Sequence, residues 1–299
     1  MEKQAFLIIA HNNFEILEKV IKLLDNKSVD IFIHIDKKSQ INNFDILKNT
    51  KFSKVLISKE IDANWGAFSL IKIELLLLEN ALKYAKKSNV KYSYFHLISG
   101  VDMPIKPIDE ICQFFKQNKG KEFVHFCGKE LDEKVINRFK YYHFLEEKKW
   151  KRNSKLQYFY KAVNKIGILL QKIMGINRCE KGIQYQYGSQ WFSITRQFAE
   201  YILENKTKIE HNYNYTYCCD EIFIQTLLIN SEFKNNLYLP TYDNNYAQCQ
   251  RYIDWTRGNP YTFRKEDFED LMKSNYMFAR KFDYKLDSEI IEKIYYELR

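Results

Sequence analysis

A chain of 299 residues, 45% of them hydrophobic, can build a substantial core, which excludes a disordered segment. Gly and Pro number only 9 and 4, which argues against a loop-rich or repetitive architecture. The formal net charge of +9 suits a polyanionic partner: nucleic acid, an anionic membrane face or a phosphorylated substrate.

Residues 5–10 form a short apolar run, followed by His11-Asn12-Asn13 and a helical pattern to residue 24. Val29–Ile35 alternates apolar and polar and ends at Asp36. A strand signal at 54–58 precedes a long amphipathic helix at 67–85. Another strand at 92–98 is closed by Ser99-Gly100-Val101-Asp102, and a helix at 107–117 and a strand at 122–126 follow. Strands alternating with helices predict an α/β fold with a mainly parallel sheet covered on both faces. Residues 129–184 break the pattern; they are polar, basic and partly helical, an excursion within a single domain spanning 1–299. Strand character resumes over 186–195, then come a helix to about 203, a helix at 219–229, a short strand at 236–239 and a final helix at 287–298.

The six cysteines (Cys112, Cys127, Cys179, Cys218, Cys219 and Cys249) form no C-x-x-C pair and no zinc-like spacing with His. Reduced thiols are therefore expected. The first residues run into a strand without a signal peptide, and no apolar run approaches the ~18 residues of a membrane span. Together these predict a cytoplasmic protein.

The chemistry-bearing residues fall at strand ends, where ligands bind in open parallel sheets. His11 and Asp36 end the first two strands, and Asp36 is suited to accept hydrogen bonds from a ribose or uracil. No G-x-G-x-x-G and no P-loop occurs, which disfavours dinucleotide binding and P-loop chemistry. Asp102 stands alone: the chain has no Asp-x-Asp, and one carboxylate is a poor site for a hard divalent cation. Asp102 is grouped instead with the acceptor- and sugar-binding candidates. Arg280 and Lys281, between Phe278 and Phe282, offer a bidentate fork and a compact point charge that could neutralise a departing diphosphate. Arg251 and Arg257 are further phosphate candidates. In Asp220-Glu221, before an apolar helical run, one reading makes both residues helix caps and dipole partners; the other gives Asp220 the capping role and Glu221 that of a general base. Ser189, Gln190 and Trp191 follow a glycine and would form a wall for a sugar ring, the other reading being a core tryptophan on a strand.

As an ordered set, His11, Asp36, Trp65-Gly66, 97–104, 188–192, Asp220-Glu221 and 278–283 resemble a family. The chain resembles the core-2/I-branching β-1,6-N-acetylglucosaminyltransferases and the related protein xylosyltransferases, in a short bacterial form. The resemblance implies a GT-A-type fold, an inverting reaction, a UDP-sugar donor and no need of a divalent metal or other cofactor. It implies Glu221 as the general base, Lys281 with Arg280 on the diphosphate, and Arg251 or Arg257 as a second cation. His11 and Asp36 would line the uridine pocket, and Arg138 would belong to a basic acceptor-side segment. The transferred sugar would be GlcNAc, with xylose or another hexose as alternatives, and the acceptor a glycan of bacterial surface polysaccharide synthesis.

From Lys148 to Cys179 no acidic residue occurs, while Lys148, Lys149, Lys151, Arg152, Lys155, Lys161, Lys165, Lys172 and Arg178 accumulate among apolar and aromatic residues. One reading of 148–178 is peripheral contact with the inner face of the plasma membrane, reaching a lipid-linked acceptor. The other is a solvated helix whose apolar side packs on the sheet. Two rival functions follow from the charge and from the strand-end pattern. A nucleic-acid-binding protein lacks a recognised motif or aromatic platform here. A metal-dependent transferase of another GT-A family lacks its Asp-x-Asp.

Overall fold

The structure is a computed structural model that describes residues 2–41, 45–147 and 155–299. Nine strands can be named: β1 (Glu2–Ala10), β2 (Val29–Ile35), β3 (Val55–Ser58), β4 (Lys91–Ser99), β5 (Asp102–Pro104), β6 (Phe123–Val124), β7 (Phe192–Thr195), β8 (Arg251–Ile253) and β9 (Phe278–Arg280). The helices are α1 (Phe14–Leu24), α2 (Ser69–Ser88), α3 (Ile108–Gln117), α4 (Glu133–Lys140), α5 (Lys155–Ile173), α6 (Arg196–Glu204), α7 (Lys206–Tyr213), α8 (Phe223–Ile229), α9 (Phe268–Lys273) and α10 (Ser288–Leu298).

Six strands form the central sheet in the order β3-β2-β1-β4-β7-β6. The first four are mutually parallel, and β7 runs antiparallel to both β4 and β6. β1 and β2 read as near-continuous apolar runs because both faces of the sheet are covered. Ala5, Leu7 and Ile9 point into a core with α2, α6 and α8, while Phe6, Ile8 and Ala10 point into one with α1, α3 and α10. The α/β architecture and mainly parallel order expected from the sequence are present.

Some boundaries differ from expectation. The strand at 122–126 shortens to Phe123–Val124, and 236–239 gives only a single bridge, Leu237 to Glu122. Of 186–195 only Phe192–Thr195 joins the ladder. The helix at 219–229 divides into a 3-10 turn, Cys219–Glu221, and α8. A second sheet, β5-β9-β8, was not foreseen; each of its strands has three residues, too few for a periodic signal. It matters because β9 carries Arg280 and pairs Asp102 with Arg280 in register. The excursion at 129–184 contains α4 and α5. Lys148, Lys149, Lys151 and Arg152 lie outside the described residues, as do the side chains of Lys155, Tyr158 and Lys161.

Candidate active site

The carboxyl ends of β1, β2 and β4 open on one edge of the sheet, and the small sheet stands beside it. Arg280, at the end of β9, donates from Nη1 to Asp102 Oδ1 (2.8 Å) and Ser99 Oγ (2.9 Å). Its guanidinium lies 4.2 Å from the centre of the Trp191 ring. Asp102 is fully occupied in holding it: Oδ1 also accepts from Ser99 Oγ (2.8 Å), and Oδ2 accepts the Ser99 N–H (2.7 Å). Asp102 is 1% exposed. The structure therefore does not place Asp102 where an acceptor could touch it; the carboxylate fixes Arg280. Trp191 is likewise no open sugar wall, because it is buried and the cation covers its ring.

Next to this pair lie His11 and Asp36. The walls around His11 desolvate its ring and lower its pKa, outweighing the nearby Asp36 carboxylate, with Arg280 and Lys38 adding to the lowering. Asp36 is buried, with Oδ1 accepting the N–H groups of Lys38 and Ala63 at 3.1 and 3.3 Å. Lys281 follows Arg280 and is half-buried. Its backbone is fixed on both sides, its N–H donating to the Tyr261 carbonyl and its carbonyl accepting from the Phe263 N–H. Among the described residues no carboxylate pairs with its ammonium.

The two remaining arginines separate. Arg251 is not at the cleft: it is 1% exposed and lies 4.6 Å from the centre of the Phe278 ring. Its terminal nitrogens donate to Ser193 Oγ and to the carbonyls of Leu97, Phe192 and Cys249. Those contacts tie β4 and β7 to the small sheet; the one donor without a partner among the described residues, Nε, is buried and out of reach of a phosphate in the cleft. Burial lowers its pKa to about 10. Arg257 is half-exposed, paired with Asp254 and, at 2.6 Å, with Asp267, and lies over Tyr261, whose carbonyl fixes Lys281. A phosphate there would have to compete with two carboxylates.

A second ion pair is joined to Arg280 through the segment 188–191. Arg138, on α4, donates from Nη1 to Glu221 Oε2 at 2.8 Å. Its guanidinium lies 5.1 Å from the centre of the Tyr187 ring and 5.8 Å from that of Tyr217. Burial raises the pKa of Glu221, opposed by Arg138 and by a hydrogen bond with Tyr187. Asp220 is not the expected cap. The turn has no side-chain cap, and Asp220 is buried with Oδ1 unpaired among the described residues. Burial and the adjacent Glu221 raise its pKa. Behind it, Glu74 on α2 is fully buried; its Oε1 accepts from Gln190 Nε2 (2.7 Å), and burial pushes its pKa well up.

Segment 188–191 joins the two pairs. Gly188 donates its N–H to the Glu221 carbonyl (2.9 Å), and three residues on Trp191 stacks under Arg280. At most about 11 Å of chain separates the two contacts. Ser189 N–H donates to His125 Nδ1 (3.0 Å), its Oγ accepts the Trp191 N–H and its carbonyl accepts from Gln225, so it holds the segment's shape. Gly188 is required sterically, since a Cβ there would lie 1.8 Å from the His125 carbonyl oxygen. Two open aromatics flank the region. Trp65 is 77% exposed and meets Tyr217 edge-on; Trp255 is about half exposed and leans on Tyr246, which stacks on His125. Glu74, Tyr187 and Tyr217 were missed from sequence; a carboxylate within the apolar run of α2 was the available signal for the first. A separate cavity of about 110 Å³ behind α4, lined by Phe139, Arg178, Tyr185 and Tyr213, lies off this cleft, and its Arg178 is committed to backbone carbonyls.

Residues 4–274 match the family described as Core-2/I-Branching enzyme. The chain belongs to this family. Its α/β fold has a mixed central sheet flanked by helices. Among relatives of the Core-2/I-Branching chain is the protein named Xylosyltransferase of Ciona intestinalis, 22% identical over 312 residues, covering 98% of this chain and 34% of that protein. Xylosyltransferase 1 of Homo sapiens is 25% identical over 317 residues, covering 98% and 30%. The chain spans about a third of the length of these relatives. Among solved structures, mouse xyloside xylosyltransferase 1 in its apo form superposes with a TM-score of 0.39 at 10% identity, over 93% of this chain and 97% of that one.

Proposed function

We propose that the chain is an inverting glycosyltransferase that moves a sugar from a UDP-sugar to a hydroxyl of a glycan acceptor. The observation that supports this reading is that segment 188–191 ties together two charged groups of opposite sign. One is a half-buried carboxylate of raised pKa, Glu221. The other is a fixed cationic step, Arg280-Lys281, with the Lys281 ammonium unpaired among the described residues.

In this reading Glu221 accepts the proton of the acceptor hydroxyl as its oxygen attacks the anomeric carbon from the face opposite UDP. The glycosidic electron pair leaves on the β-phosphate oxygen, where Lys281 and Arg280 stabilise the growing charge. Arg138 and Tyr187 orient the Glu221 carboxylate, which stays one-third exposed and so can meet the hydroxyl. His11 and Asp36 border the uridine, while Trp65 and Trp255 present open rings suited to sugar C–H faces. Arg257 touches the diphosphate only if it leaves its carboxylates. We propose that no divalent metal takes part, which is supported by the single Asp102 being neutralised by Arg280. GlcNAc is the donor sugar first expected; the names of the relatives support testing xylose beside it. The acceptor is proposed to be a bacterial surface glycan, held on a lipid at the inner membrane face.

Calorimetric titration with UDP, in EDTA and then with Mn²⁺, tests this reading. Binding in EDTA that metal leaves unchanged supports it. Binding only with Mn²⁺ contradicts the role given to Arg280 and Lys281.

A further inference from the structure

Helix α5 is inverted for a surface helix. Towards the protein it presents polar groups: Asn164 donates to Glu146 Oε1 (3.0 Å), while Gln171 accepts the Tyr142 N–H (2.8 Å) and donates to the Tyr142 carbonyl (3.0 Å). Towards solvent it presents Phe159, Val163, Ile166, Leu169, Leu170 and Ile173, all exposed. At 3.6 residues per turn these outward positions fill an arc of about 120°, opposite Asn164 and Gln171. A water-facing helix ordinarily carries the reverse pattern. The sequence left open whether this apolar side packs on the sheet; the structure turns it outward.

We propose that this face of α5 docks on an anionic lipid bilayer. Charge complementarity selects that occupant. The stretch 148–178 has only positive charges, and Lys165 stands exposed at one edge of the apolar arc. Apolar side chains entering the acyl boundary with lysines at headgroup level are the pattern of a helix lying in a membrane interface. A second copy of the chain would bring the same cationic stretch against itself, which like charges oppose. The location also fits. α5 seats on 142–146, where His143 stacks near Tyr217, the neighbour of both Arg138 and Trp65. A docked α5 would turn the Glu221 side of the cleft toward the bilayer. That orientation rests on the proposed function; the docking itself does not.

The test is flotation of the full chain with vesicles of phosphatidylglycerol and phosphatidylcholine, against phosphatidylcholine alone, at low and high salt. Far-UV circular dichroism and thermal melting check the fold of each variant. The expected result is binding to the anionic vesicles only, reduced at least tenfold by high salt. Combined Ile166→Ser, Leu170→Ser and Ile173→Ser should abolish it, and Lys165→Glu should weaken it, with melting unchanged. No binding, or binding that the triple variant retains, overturns the proposal. Self-association that the triple variant abolishes, without vesicle binding, overturns it in favour of a second copy. Vesicle binding in a protein that fails to bind UDP would leave the docking intact and remove the transferase reading.

Discussion

Two arginine–carboxylate pairs, each 2.8 Å apart, are linked through segment 188–191, yet their surroundings differ. Asp102 is almost fully buried, and both its oxygens are held by Arg280 and Ser99. Glu221 is one-third exposed, held by Arg138 at one oxygen and by a hydrogen bond with Tyr187. A buried carboxylate with both oxygens engaged and a cation beside it is a fixture. One that is half-buried, with its pKa raised and part of its surface open to solvent, can take a proton. The pairing distance carries none of this difference; it comes from exposure and from the remaining hydrogen bonds.

The contrast can be broken most strongly at Glu221. Glu221→Gln should reduce turnover about 10²- to 10⁴-fold, the usual contribution of a general base, with UDP affinity unchanged in a calorimeter. Next in size is Asp102→Asn, which leaves a largely buried guanidinium without its counter-charge. It should lower stability by about 2–3 kcal/mol in denaturant melts and weaken UDP binding by releasing Arg280. Lys281→Ala should weaken UDP binding about 10- to 100-fold, the range of a hydrogen bond to a charged group. Arg257→Ala should alter that affinity less, since its charge is already taken by Asp254 and Asp267.

Two pH effects sharpen the same comparison. Because burial raises the Glu221 pKa, the acidic limb of kcat/KM should lie above 4.5, with activity rising as pH rises through it. Glu74 gives the smallest signal. Its folded pKa lies well above 4.5, so between those values the native state holds a proton that the unfolded chain has lost. Stability should therefore fall as pH rises across that interval, by at most about 1.4 kcal/mol per unit. Glu74→Gln, which keeps an oxygen for Gln190, should flatten that slope in pH-dependent melts.

Much of the fold was legible because β1, β2 and β4 are buried on both faces and leave long apolar runs. The small sheet was not, because a three-residue strand has no period to read. Glu221 and Arg280-Lys281 stood out from composition in their local context. The Arg138–Glu221 contact did not, since its partners lie 83 residues apart. Arg251 was misplaced for a different reason. Arginine is seldom fully buried, and only the tertiary fold supplies the four acceptors that make its burial tolerable. Asp102 and Trp191 were read as open to an acceptor, and the sequence could not show that both contact Arg280, the cation that covers them.

The most direct test of the account is to measure turnover and UDP affinity together in Glu221→Gln, using UDP-GlcNAc and UDP-xylose as donors. Loss of transfer with both, at wild-type UDP affinity, is the predicted result. Substantial transfer by the variant with either donor would place the base elsewhere and contradict the role drawn from the contrast between the two ion pairs.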